Sequence, residues 1–176
     1  MSAIGLLHDH PTDEIPESHR DLVECPPVAA LTTVWANGWP QTSVVWCDFD
    51  GDMVRVNTMR GFAKERNMRR NARVTLLCYD PRYPLRYLEI RGTVVEMTEE
   101  GAGRHLDEIA SKYVGRPVRY FGDVIPVRFA ETEIPVLCRI RPTHVWRLGR
   151  SRRSLAATWS CVRTGFTGFA FLLPAR

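Results

Sequence analysis

Six cationic residues, Arg60, Lys64, Arg66, Arg69, Arg70 and Arg73, crowd into a stretch that reads as the end of a strand followed by a helix. Lys64 and Asn67 stand at i and i+3, so on a helix they project from nearly the same face. A phosphate near the start of such a helix meets free backbone N–H groups, an ammonium and an amide donor together. A solvated basic helix face accounts for the same composition, and composition alone leaves both readings open. Nucleic acid is less well matched: there are no clustered lysines, no helix-turn-helix, no RNP-type motif and no arginine stripe with interleaved aromatics.

Side chains that could run chemistry unaided are missing. No G-x-S-x-G and no HExxH occurs, so neither a serine nucleophile nor a zinc-peptidase site is indicated. His144 is an isolated imidazole in a strand. Glu99 and Glu100 begin a helix, where carboxylates favour the positive end of the dipole. His8 and His10 form an H-x-H pair with no companion ligands, and none of the five cysteines lies at metal-ligand spacing from another, so no metal is expected. The sequence therefore singles out no catalytic residue, and the side chains do not read as the source of reactivity.

The chain has 176 residues, room for one domain with a substantial core. Hydrophobic residues make up 44% and charged ones 25%, which excludes fibrous and wholly disordered classes. The net charge of +4 favours anionic partners mildly. All cations but Lys64 and Lys112 are arginine, a bias that GC-rich coding produces without functional demand. The opening residues MSAIGLLHDHPTDE lack a basic run followed by an apolar one, so no secretory leader is read. Cysteines beside apolar runs fit buried free thiols, and the expected compartment is a reduced cytoplasm. Toward the C-terminus, Arg163 and polar neighbours interrupt an apolar stretch that would need about 20 residues to span a bilayer.

The elements that must hold the basic turn follow from periodicity. Residues 15–23 suggest a brief helix stopped by Cys25-Pro26-Pro27. Val28–Trp35 is rich in β-branched residues and meets Asn37-Gly38, a strong hairpin signal, with Pro40–Phe49 as the returning strand. Asp50-Gly51-Asp52 makes a second turn into Met53–Thr58, and the three strands read as a consecutive meander. A helix is expected over Phe62–Asn71, then strands at Val74–Tyr79 and Tyr87–Met97 separated by a loop at Asp80–Pro84. Thr98–Tyr113 reads as an amphipathic helix with Leu106, Ile109, Ala110 and Tyr113 on one face. After a loop over 115–129, Ile134–Leu148 closes the domain as a last strand. Short antiparallel strands with few helices predict a mainly β fold with flanking helices, a small barrel. Without βαβ alternation or GxGxxG, a Rossmann dehydrogenase is not expected.

The order V-A-A-L-T-T-V, N-G-W-P-Q-T-S-V-V-W, F-D-G-D, V-N-T and K-E-R-N-M-R-R-N-A-R-V resembles the pyridoxamine 5′-phosphate oxidase-like flavin and deazaflavin oxidoreductases. The segment DPRYPLRYLEIRG and the closing R-I-R-P-T-H-V-W look like the branch that uses coenzyme F420. The likeness runs from about Ile15 to Leu148. It implies an FMN-binding split β-barrel, built as a homodimer with cofactor sites at the subunit interface. By the same likeness Lys64 and Asn67 match a phosphate-binding K-x-x-N, with Arg60 or Arg66 as further anion contacts. Ser43, Val45, Trp46, Asn57 and Thr58 match segments that border the ring. Phe62 stands where some members carry another cation, and the tail after Leu148 has no counterpart. The expected division is a flexible N-terminus (1–14), the barrel domain (15–148) and a C-terminal extension (149–176). The resemblance implies hydride transfer between F420 and a planar conjugated organic substrate, with no nucleic-acid or membrane partner. FMN chemistry on the same fold, or non-catalytic binding of F420 or FMN, are the alternatives.

Overall fold

Alternation builds the sheet. Along Arg73–Asp80 every second residue from Val74 is buried, and the same period runs through Val54–Met59 and much of Pro135–Leu148, so each strand offers one face to a shared interior. The computed structural model describes residues 12–24 and 28–149. In it the strands are β1 Val28–Val34, β2 Pro40–Val45, β3 Cys47–Phe49, β4 Val54–Met59, β5 Arg73–Asp80, β6 Tyr83–Thr98 and β7 Pro135–Leu148. They form one antiparallel sheet in the order β2-β1-β5-β6-β7-β4-β3.

The two edge strands of this sheet, β2 and β3, are separated in the chain only by Trp46. The sheet therefore curls until its edges nearly meet, which is the split barrel that the resemblance implies. Leu31, Val54, Val56, Leu76, Leu88, Ile90 and Ile140 fill the interior.

Three expectations need correction. Pro40–Phe49 is not one strand: it breaks at Trp46, because its first half pairs with β1 and its second with β4. The first three strands are consequently not a consecutive meander, since β5, β6 and β7 lie between β1 and β4. The loop at Asp80–Pro84 is a tight turn instead. Asp80 pairs with Tyr83, and Asp80 Oδ1 accepts from the Arg82 N–H at 3.0 Å, so strand β6 already begins at Tyr83. Pro84 is tolerated there because the strand end is exposed.

Among the described residues three α-helices complete the fold: α1 Asp21–Glu24, α2 Ala63–Arg70 and α3 Ala102–Val114. The α1 segment is pinned to the barrel by buried polar contacts. The Arg86 guanidinium donates to Asp21 at 2.6 Å, and His19 Nε2 donates to Leu148 O at 3.1 Å. Met59, Leu106 and Ile109 form a second apolar cluster beneath α3, edged by Trp46, Tyr113, Tyr120 and Phe121. Cys47, Cys78 and Cys138 are buried free thiols. The stop at Cys25–Pro27, the His8/His10 pair and most of the two terminal segments, residues 1–11 and 150–176, lie outside the described residues.

Gly92 marks a close approach between the long strands, at a bulge opposite Pro142. A Cβ there would lie 2.6 Å from Ile140 Cγ2 and 2.7 Å from Arg141 O. Replacing Gly92 by Ala is expected to lower stability by about 2 kcal/mol through overpacking, read as a shifted midpoint in urea denaturation. An unchanged midpoint would show that the strands can part without cost.

Candidate functional site

Strand β4 runs directly into the basic turn. Its last residues, Asn57, Thr58 and Met59, lead through Arg60-Gly61-Phe62 into α2, and Gly61 takes the left-handed conformation (φ 80°) that the sharp turn needs. The helix opens without a side-chain cap, because Phe62 at the cap position has no acceptor. The first-turn N–H groups of α2 therefore keep their capacity for an anion. Glu65 folds back instead, its Oε2 accepting from the Gly61 N–H at 3.1 Å and its Oε1 pairing with Arg69.

The six cations of the turn are not equivalent. Arg60 is held by Glu99 in a two-pronged pair, with Nε 2.6 Å from Oε1. Arg66 donates to Gly61 O, and Arg70 donates to Asn67 Oδ1 at 3.1 Å. Lys64 differs. Its side chain is half-buried, and among the described residues no carboxylate lies within ion-pair distance. Its nearest charge-sensitive contact is the face of Phe62, 5.7 Å from Nζ. Burial draws its ammonium below the ordinary lysine range. Asn67, about 60° around the helix, is turned further inward. It is fully buried, and its Nδ2 donates to Thr33 Oγ1 of β1 at 3.0 Å, so its amide ties α2 to the barrel wall.

The residues expected to border a ring are distributed over both faces of the barrel wall. On β2, Ser43 is half-buried and Val45 buried, whereas Val44 between them points out. On β4, Thr58 faces the interior and Asn57 faces α3, as period-two alternation requires. Trp46 lies beneath α3, stacked on Tyr113 with centroids 4.9 Å apart and edge-on to Tyr120 at 5.9 Å. The structure thus gathers Asn57, Thr58, Arg60, Lys64, Arg66 and Asn67 on one continuous strand-turn-helix, with Ser43, Val45 and Trp46 contributed by the barrel closure.

Sequence reasoning did not find the polar cluster beneath α3. Asp48, almost fully buried, accepts from Arg55 Nε (2.9 Å) and Nη2 (2.7 Å), from Lys112 Nζ (2.9 Å) and from His105 Nε2 (3.2 Å). Burial opposes its charge, yet the hydrogen bonds from His105, Arg55 and Lys112 outweigh burial and hold its carboxyl well below the usual carboxylate range. Alongside it, the Cys47 N–H donates to Tyr113 Oη at 3.2 Å, and burial pushes that hydroxyl's pKa up. One signal was available. Asp48 and Arg55 flank the Asp50-Gly51-Asp52 turn symmetrically, which makes them a cross-strand pair.

The family model for pyridoxamine 5′-phosphate oxidase matches residues 15–135, which include the whole strand-turn-helix and the polar cluster. The chain belongs to the pyridoxamine 5′-phosphate oxidase family. Members of this family are flavin- and deazaflavin-binding oxidoreductases on a split barrel. Among solved structures, an F420 reductase superposes with a TM-score of 0.63 at 29% identity, over 74% of this chain and 98% of its own. A conserved hypothetical protein from Mycobacterium tuberculosis gives 0.60 at 22% identity, over 86% and 94%. General stress protein 26 from Bacillus anthracis gives 0.54 at 16%, over 77% and 94%, and these last two likenesses concern the fold alone. None of the curated proteins matches the chain.

The residues present fit the family's kind of cofactor. Ser43 Oγ, Asn57 Oδ1 and Thr58 Oγ1 are buried without a hydrogen-bond partner, and native proteins leave few such atoms unless a ligand or water completes them. Together with the unpaired Lys64 they offer an anion contact and polar atoms on the same segments of this pyridoxamine 5′-phosphate oxidase family member.

The cluster under α3 has its own pH signature. A carboxyl whose pKa is depressed by folding contributes stability above its unfolded value, about 3.9, and loses that contribution as pH falls below it. Asp48→Asn is expected to cost about 3 kcal/mol at pH 7 and to flatten the loss of stability that sets in below about pH 5 and steepens below about pH 4, as measured by denaturant titration at each pH. A variant as acid-sensitive as the parent would place the sensitivity elsewhere.

Proposed function

We propose that the protein is an F420-dependent oxidoreductase that moves a hydride between the deazaflavin and a planar conjugated organic substrate. The observation that carries this reading is Lys64: a half-buried ammonium without a counter-ion at the uncapped start of a helix, immediately after the strand that bears Asn57 and Thr58. Leaving a cation partly desolvated and unpaired is costly in a fold with no other use for it, and a phosphate diester removes that cost through charge-assisted contacts. When bound, the deazaflavin supplies the hydride-carrying carbon. The chain's own part is to hold the anionic tail at Lys64 and the first N–H groups of α2, to border the ring with the strand segments that carry Ser43, Asn57 and Thr58, and to keep water out. Arg66 and Arg73, both exposed, follow Lys64 in the chain, and added positive charge suits a long acidic tail. The F420 reductase at 29% identity supports the deazaflavin. FMN stands as the second reading, favoured by Lys64 being the one half-buried cation among the six of the turn, which suffices for one phosphate monoester.

The cofactor sites are proposed to lie at the interface of a homodimer in the cytoplasm. An outward row supports the pairing: Val44, Ala30 and Leu77 stand side by side across β2, β1 and β5, and Val44 is 74% exposed. An apolar row on a sheet face is suited to burial against a second copy. Among the described residues no helix is long and apolar enough to cross a membrane.

Two outcomes are expected. Lys64→Ala should weaken F420 binding about 10-fold or more while leaving the melting temperature unchanged or raised, because no ion pair is lost. Fluorescence titration at two salt concentrations measures it, and unchanged affinity would overturn the phosphate assignment. In the parent, tighter binding of FMN than of F420 would move the function to flavin chemistry. Val44→Asp should shift the protein from dimer to monomer in light scattering, and a parent that is already monomeric would remove the interface.

A further inference from the structure

Asn57 is held from one side only. Its Nδ2 lies 3.0 Å from Ala102 O and 3.1 Å from His105 Nδ1, while its Oδ1 is buried with no partner. Ala102 O can only accept, so the amide nitrogen must face it; turning the amide over would set two acceptors against each other. With Nδ2 donating, His105 Nδ1 has to accept. The ring proton then sits on Nε2, which points at Asp48 Oδ1 at 3.2 Å. Asp48 is fixed in turn by Arg55 from β4 and Lys112 from α3. Ala102 O and a His105 tautomer fixed by the buried carboxylate thus hold the amide in one orientation together, and that orientation leaves one acceptor bare.

An acceptor-only oxygen selects a donor. The rings of flavins and 5-deazaflavins share a pyrimidinedione edge that carries a single imide N–H between two carbonyls. We infer that Asn57 Oδ1 accepts this imide N–H from the bound ring, and that His105, backed by Asp48, is the positioning residue that turns Asn57 to receive it. The inference rests on the ring-binding reading above and assigns one atom of the protein to one atom of the ring. A purely structural role for the cluster would secure α3 equally well with Asn57 Oδ1 satisfied inside the protein.

Methylating the imide nitrogen removes the donor and leaves the rest of the ring in place. The parent is titrated with FMN and 3-methyl-FMN, and with F420 and its 3-methyl derivative, following ring fluorescence. The parent should bind the unmethylated form of at least one ring about 10-fold tighter than the methylated form, and Asn57→Ala should bind both forms nearly equally. His105→Gln should keep the discrimination, since its side-chain oxygen can accept from Asn57 and its nitrogen can donate to Asp48. His105→Leu should narrow the discrimination, because Ala102 O alone then holds the amide. Where the Leu variant fails to fold, Asn57→Ala decides. Equal binding of methylated and unmethylated rings by the parent overturns this inference while the ring-binding reading survives. Binding of neither FMN nor F420 in any form overturns both.

Discussion

One residue of chain joins the two edges of the sheet. Val45 ends the strand on one side and Cys47 begins the strand on the other, so a seven-stranded sheet that could have remained open is forced to curl until Trp46 closes it. Closure removes most of the exposed edge and fixes the radius within which Leu31, Leu76, Ile90 and Ile140 must pack. It also creates a demand. Trp46 sits at the seam with its ring on the outside of the barrel wall, and it is covered by Tyr113 of α3 and by Tyr120 of the segment that follows α3.

The covering helix is bound to the seam by polar contacts as well as apolar ones. Asp48, two residues past Trp46, gathers His105 and Lys112 of α3 and Arg55 of β4 around one carboxylate. A buried carboxylate is tolerated only when its lone pairs are met, and here four N–H donors meet them. The same contacts fix β4 in register, and β4 delivers the chain into the turn before α2. The geometry of the candidate site is therefore set at the seam: β4 alternation sends Thr58 inward and Asn57 toward α3, and the turn then places Lys64 in the first turn of α2.

Local features of the fold are legible in the sequence because they obey local rules. Asn37-Gly38 and Asp50-Gly51-Asp52 each make the turn that their chemistry dictates, with Gly38 and Gly51 at positive φ. The helices at Phe62–Asn71 and Thr98–Tyr113 follow from helix formers and from spacing, although α3 starts later because β6 extends to Thr98. What the sequence hides is non-local. The run Val44-Val45-Trp46-Cys47 is apolar throughout, so nothing in it announces that Val45 and Cys47 pair with different partners. The separation of Lys64 from Asn67 is hidden for a related reason. Three residues along a helix rotate a side chain by about 60° from the first, enough to turn Asn67 fully into β1 while Lys64 stays half-exposed. The Asp48 cluster joins residues 57 and 64 positions apart, and only its Arg55 member could be read from hairpin register.

At the centre stands the claim that a phosphate is held where the strand-turn-helix leaves a cation unpaired. A crystal structure of the protein with F420 bound tests it most directly, since the phosphorus position is visible without reference to turnover. The phosphate should lie within hydrogen-bond distance of Lys64 Nζ and of the first backbone N–H groups of α2. A phosphate held elsewhere, for instance in the charged groove between Arg55, Arg139 and Arg141 on the far end of β4 and β7, with Lys64 still unpaired, would contradict it.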